Sequence, residues 1–201
     1  MKSDRTIACI ALTLGIVELL LALVSWLLGA TTDSNTIRSM LSSEGIRWMF
    51  GHFAEMLSSR YLVWLVLLSI ASGPLWDCGI FRVFHLKRSL LYRERTALFL
   101  VGGLLLIIIA SMLLLTAVPH AVLLSVTGDL YPSPFSESIV PVTSFSIALL
   151  SVVYGGITSV FSSLTDVYHS LVRGVSRCAP LFLFYILIFQ LIYSVRFIFS
   201  V

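Results

Sequence analysis

The sequence predicts an all-α integral membrane protein, a bundle of about five transmembrane helices with an amphipathic or re-entrant segment after the first. Three observations predict it. Hydrophobic residues make up 58% of the chain and charged residues 11%, whereas roughly a quarter of a soluble domain is charged. The apolar residues are gathered into runs close to the roughly 20 residues that a helix needs to cross hydrocarbon. Period-two alternation is weak, which excludes a barrel and leaves the helix as the way to satisfy every backbone N–H and C=O in lipid. The net charge of +3 is too small to suggest nucleic acid as a partner.

Taken in order, a short head with Lys2 and Arg5 precedes the first span, 7–30. Its apolar core is longer than the roughly 7–15 residues of a signal peptide, and Leu28-Gly29-Ala30 is a weak cleavage site, so an uncleaved helix is expected. The segment 34–58 is amphipathic. Asp33 or Ser34 is expected to cap it, Ile37, Met40 and Leu41 share a face, and Gly45 is expected to interrupt it. Ile46, Trp48, Met49, Phe50 and Phe53 are too apolar for a free loop and should pack in the interface or on the bundle.

The second span, 61–80, carries Gly73-Pro74, a pair expected to kink or loosen its end. A basic loop, 81–95, follows with Arg82, Lys87, Arg88, Arg93 and Arg95, and then a third span, 96–118, closed by Pro119. Residues 119–137 hold no Lys or Arg and are broken by Pro132 and Pro134, the marks of a turn region. The fourth span, 138–160, leads through a polar link able to lie on the membrane surface to the fifth, 179–201, which Pro180 opens as a first-turn proline. The whole chain, 1–201, reads as one membrane domain.

Charge sets the expected topology. With the N-terminus in the cytoplasm, nine basic residues (Lys2, Arg5, the five of the basic loop, Arg173 and Arg177) fall inside and three (Arg38, Arg47, Arg60) outside. That asymmetry predicts a cytoplasmic N-terminus and an external C-terminus.

Few residues carry potential chemistry. Glu18 lies at the middle of the first span, where a charge costs about 2.5 kcal/mol or more, so it is a candidate ion-coupling carboxylate or a neutral, hydrogen-bonded one. Arg196, about one turn from the end of the last span, is placed to snorkel or, facing inward, to neutralise an anion. Ser151, Gly155 and Ser159 recur every four residues as a helix-packing ridge. Asp166 and His169 share a helical face without a nucleophile, which reads as a solvated surface. Cys9, Cys78 and Cys178 lack metal-ligand spacing and are expected as reduced thiols, with no metal and no cofactor.

Several short stretches carry a family resemblance: Pro134-Phe135, Ile139-Val140-Pro141, Tyr154-Gly155, Asp166-Val167, Ala179-Pro180 and Phe189-Gln190, with Leu41-Ser42-Ser43-Glu44-Gly45-Ile46-Arg47-Trp48 earlier in the chain. They resemble the AbgT family of membrane transporters, which handle p-aminobenzoyl-glutamate and related aromatic acids. The resemblance implies a shortened relative in which the family's middle and C-terminal parts are missing. It makes Gln190 a candidate substrate or ion contact as well as an interhelical hydrogen-bond partner. It makes Tyr154-Gly155-Gly156 a candidate unwound site.

The expectation is therefore a non-enzymatic transport protein for p-aminobenzoyl-glutamate or a related aromatic carboxylate, coupled to an ion. The lipid bilayer and a homo-oligomer are the other expected partners, since self-association could place polar groups on a shared interior. The alternative is a non-transporting reduced relative, a membrane scaffold or partner-binding protein, favoured by Glu18 standing alone at mid-depth.

Overall fold

The computed structural model describes residues 2–31, 38–81, 91–117 and 134–199. Outside them lie the candidate caps Asp33 and Ser34 with Ile37, Arg82, Lys87 and Arg88 of the basic loop, the last residue of the expected third span, and residues 119–133 of the turn region. Six helices are present among the described residues: α1 (Lys2–Thr31), α2 (Ser43–Leu57), α3 (Arg60–Asp77), α4 (Tyr92–Ala117), α5 (Pro134–Ile157) and α6 (Leu164–Phe199). Within α1, α4, α5 and α6 lie four stretches long and apolar enough to cross a membrane: Arg5–Thr31, Tyr92–Thr116, Phe135–Ile157 and Leu164–Ile198. The pair α2 and α3, bent by 48° at a short break, makes a fifth if read as one broken span. The chain is an all-α, multi-span membrane protein with a re-entrant-like break after its first helix.

The described chain groups into two compact units, Met1–Val63 with Ala179–Val201, and Trp64–Cys178. In the first unit, two hydrogen bonds fix the backbone at residues 38–40. Ser25 Oγ accepts from Met40 N at 3.2 Å, and Arg38 N donates to Ile198 O at 3.1 Å. Met40, Phe197 and Ile198 form a small core with Leu21, Ala22, Trp48 and Met49 around it, and Trp48 stacks on Phe197 at 4.4 Å between ring centres.

The expected interruption at Gly45 is not found. α2 starts only at Ser43, with Ser42 as its N-cap accepting from Gly45 N at 3.1 Å, so Gly45 sits inside the first turn. Its missing side chain is used for packing, because a Cβ there would overlap the Met40 carbonyl and lie 2.7 Å from the Met40 carbon.

The break between α2 and α3 falls at Ser58 and Ser59. Tyr185, buried on α6, closes it: its hydroxyl donates to Leu57 O at 3.1 Å and meets Ser59 Oγ at 2.6 Å. With the phenol proton committed to the carbonyl, the serine donates the second bond. A backbone freed by a break in an apolar setting needs such partners.

In the second unit, Cys78, Ala97, Tyr154 and Phe161 make the core, with Ile80, Leu98, Val101, Ile157 and Val167 against it. Ser138, Thr143, Ser144 and Ser146 of α5 return their hydroxyls to their own helix, Ser144 to Val140 O and Ser146 to Val142 O at 2.7 Å each.

α6 corrects one expectation. Pro180 does not open the last helix, because α6 is continuous from Leu164, where a capping box starts it. Ser163 Oγ accepts from Asp166 N at 3.2 Å and Asp166 Oδ2 accepts from Ser163 N at 2.9 Å. Pro180 is interior, where it removes the N–H that would have bonded to Ser176 O and sets its ring against that carbonyl.

Candidate functional site

Two places gather the polar side chains that an apolar helical protein can least easily bury. The first lies in the Met1–Val63 and Ala179–Val201 unit. Glu18, half-buried on α1, has the Gln190 side chain of α6 as a polar neighbour. Beside Gln190 on α6, Tyr185, Phe189 and Tyr193 recur every four residues, and their rings contact in series at 4.3 Å and 6.4 Å. Arg196 lies in the last turn of α6 with an exposed side chain, where its charge meets the negative end of the helix dipole.

The second place lies wholly within Trp64–Cys178 and begins with a close helix crossing. Gly73 of α3 and Gly174 of α6 face each other. A Cβ on Gly73 would overlap Ser170 O and lie 3.0 Å from Gly174 N, and one on Gly174 would overlap Ser69 O and lie 2.6 Å from Gly73 N. Each glycine has a serine four residues before it, Ser69 and Ser170, both fully buried. The crossing is thus a pair of Ser-x-x-x-Gly segments that bring two backbones together as small residues allow in lipid.

One turn beyond Gly73 stands Asp77, its side chain 12% exposed, held by two arginines of α6. Arg177 donates to Asp77 Oδ1 at 3.0 Å. Arg173 reaches Oδ2 at 3.3 Å as an ion pair, while its Nε donates to His169 O. The carboxylate and both guanidiniums open onto a cleft of about 460 Å³ lined also by Trp76, Val160, Phe161 and Asp166. Asp166 Oδ2 accepts from Ser162 Oγ at 2.8 Å, from Ser162 N at 3.0 Å and from Ser163 N. These bonds, the Ser162 hydroxyl first, hold its carboxyl below the usual carboxylate range.

The packing residues expected from sequence take different positions. Ser151 is buried in α5. Gly155 lies under Phe161, whose Cε2 would be 2.5 Å from an added Cβ. Ser159 lies past the helix end with φ of 60°. There it completes a Schellman turn: Val160 N donates to Gly155 O at 2.8 Å and Ser159 N to Gly156 O at 3.2 Å. Arg93, at the start of α4, donates to Ser159 Oγ at 3.1 Å. Tyr154, Gly155 and Gly156 are helical and lie inside α5, and Tyr154 is buried in the core.

Asp77 was not among the residues singled out from sequence, and neither was the Gly73–Gly174 crossing. The signals were available: two Ser-x-x-x-Gly segments, and an acid at the end of one span beside two arginines spaced by four at the start of another. Among the described residues, no three His, Cys, Asp or Glu side chains converge as a metal ion would require.

No curated protein and no solved structure matches the chain. A family model described as the AbgT putative transporter family matches residues 83–198, more than half of the chain. The match takes in α4, α5, most of α6, both arginines of the cleft and Gln190, together with the motifs read between Pro134 and Gln190. The chain belongs to the AbgT transporter family.

Proposed function

We propose that this protein moves p-aminobenzoyl-glutamate or a related aromatic carboxylate across a bacterial inner membrane, coupled to an ion, with its N-terminus in the cytoplasm and its C-terminus outside. The observation that carries this reading is the meeting of Glu18 with Gln190, a residue within the family match. A carboxyl in an apolar span is expensive and is kept where its protonation or ion binding is used. The Gln190 amide can serve both forms, donating to a carboxylate or accepting from an acid. Association of chains around this pair would enclose the pathway, with Arg196 of the same unit as a further candidate contact. The ion pairs of Asp77 join the end of α3 to the start of α6 at one level, which this topology requires of them.

A second reading, a non-transporting relative that holds a membrane partner, is favoured by the position of the cleft at helix ends rather than at mid-depth. Uptake and efflux of radiolabelled p-aminobenzoyl-glutamate in proteoliposomes, with Glu18→Gln as the paired variant, separates the two. Flux above empty liposomes that falls in the variant supports coupled transport. Absence of flux from folded, oriented protein overturns transport of that substrate and favours the second reading.

A further inference from the structure

We infer that the cleft at the ends of α3 and α6 binds the headgroup of a zwitterionic phospholipid, its phosphate on Arg173 and Arg177 and its primary ammonium on Asp166. The argument starts from the level of the cleft in the membrane. α6 has 36 residues, about 54 Å of helix, against a hydrocarbon layer of about 30 Å. Its first turns hold Asp166, His169, Arg173 and Arg177, whereas the run from Ala179 onward has no charge before Arg196. Hydrocarbon therefore begins near Ala179, and the two arginines sit at the depth of lipid phosphates.

The arginines are prepared for an anion. They stand four residues apart on one helix face and are about half exposed, at 55% and 49%. Asp77 holds Arg177 by a hydrogen bond and Arg173 by an ion pair, at one terminal nitrogen of each. A guanidinium has five N–H donors in a rigid fork, so donors remain on both after Asp77 is served. Because Asp77 already immobilises the side chains, less rotamer entropy is lost when a second anion arrives.

Charge balance selects the kind of anion. Two arginines face two carboxylates in the cleft, so its lining is neutral and dipolar, a poorer match for a purely anionic group than for one bearing both signs. All three hydrogen bonds to Asp166 fall on Oδ2, which leaves Oδ1 as an acceptor for an ammonium.

An apolar surface adjoins the charges. Trp76, which lines the cleft, is 65% exposed and packs against the exposed Phe81 with ring centres 5.5 Å apart. Val160 and, further along α3, Leu68 are also exposed. A charged cleft bordered by exposed aromatic and aliphatic groups is the signature of an amphiphile's site. A soluble phosphate ester would leave that border unused. The inference is independent of transport, and either can fail without the other.

The test uses the full chain purified in detergent, titrated with phosphatidylethanolamine, phosphatidylglycerol or phosphatidylcholine and read by native mass spectrometry. One retained phosphatidylethanolamine per chain is expected, with retention of the other two weaker by about tenfold. Arg173→Gln with Arg177→Gln should abolish the preference, while Arg38→Gln with Arg47→Gln, the same loss of charge elsewhere, should keep it. Should the first double variant not fold by circular dichroism, phenylglyoxal labelling of wild-type Arg173 and Arg177 takes its place, slowed by phosphatidylethanolamine and not by phosphatidylcholine. Equal retention of all three lipids, or labelling rates indifferent to the lipid, would overturn the site. Displacement of the lipid by an equal concentration of glycerophosphoethanolamine would assign the cleft to a soluble phosphate ester and overturn the lipid.

Discussion

Adding a single methyl group at Gly73 should damage this protein more than at any glycine of α4. In Gly73→Ala the new carbon would overlap Ser170 O and lie 2.9 Å from the Ser170 carbonyl carbon and 3.0 Å from Gly174 N, all backbone atoms. Ordinary carbon contacts begin near 3.4 Å, so α3 and α6 must separate by on the order of 1 Å, and no side-chain rotation can relieve the clash. Overpacking costs about 1–3 kcal/mol where side chains can shift. With backbone on both sides the upper end applies, about 3 kcal/mol, a fall of roughly a hundredfold in the folded-to-unfolded ratio. Gly174→Ala should behave alike, since its Cβ would lie 2.6 Å from Gly73 N. Gly102 and Gly103 have nothing within 4 Å. Alanine there should be neutral or stabilising by up to about 1 kcal/mol, the usual helix preference over glycine. Unfolding by sodium dodecyl sulfate in mixed micelles, followed by circular dichroism, compares the four variants directly. Coincident midpoints for Gly73→Ala and Gly102→Ala would refute the backbone crossing.

Tyr185→Phe removes the hydroxyl that closes the break between α2 and α3 and should cost about 1–2 kcal/mol. In a cycle with Ser59→Ala the two losses should be less than additive, and additivity within error would disprove the shared bond. Asp77→Asn should lower stability by about 1 kcal/mol, a modest figure because both arginines keep access to water. Adding Arg177→Gln to it should cost little more, and a full second loss would show that the arginine acts elsewhere. The Asp166 carboxyl is held below its unfolded value by bonds from Ser162 and Ser163. Its contribution is thus present above about pH 4 and lost as pH falls through the lower folded value. Protection of the first α6 amides against hydrogen exchange, corrected for intrinsic rates, should drop there in wild type and be flat in Asp166→Asn.

The helical membrane class was legible because it rests on run length and composition, which the lipid solvent enforces on every segment alike. The motifs between Pro134 and Gln190 were also legible, and the family match contains them; the block from Leu41 to Trp48 lies outside it. What failed was local and had local causes. Pro180 looked like a helix start because proline is tolerated there, yet the start signal that operates is Ser163 with Asp166, a capping box four turns earlier. Gly45 looked like a break because glycine lowers helix propensity, but a first-turn glycine costs little and here admits the Met40 carbonyl.

Asp77 was harder to see, since an acid at a span end is ordinarily a solvated residue. Its role exists only through the crossing. Gly73 and Gly174 set the two backbones in contact, Asp77 follows Gly73 by one turn, and Arg173 and Arg177 flank Gly174 by one residue before and three after. The spacing that lets the helices touch therefore also delivers the carboxylate to both guanidiniums. A separation of the backbones would lengthen the 3.0 Å and 3.3 Å contacts together. Packing and charge at this end of α3 form one device: the glycines set how closely the arginines are held, and hence how well the cleft is prepared for a ligand.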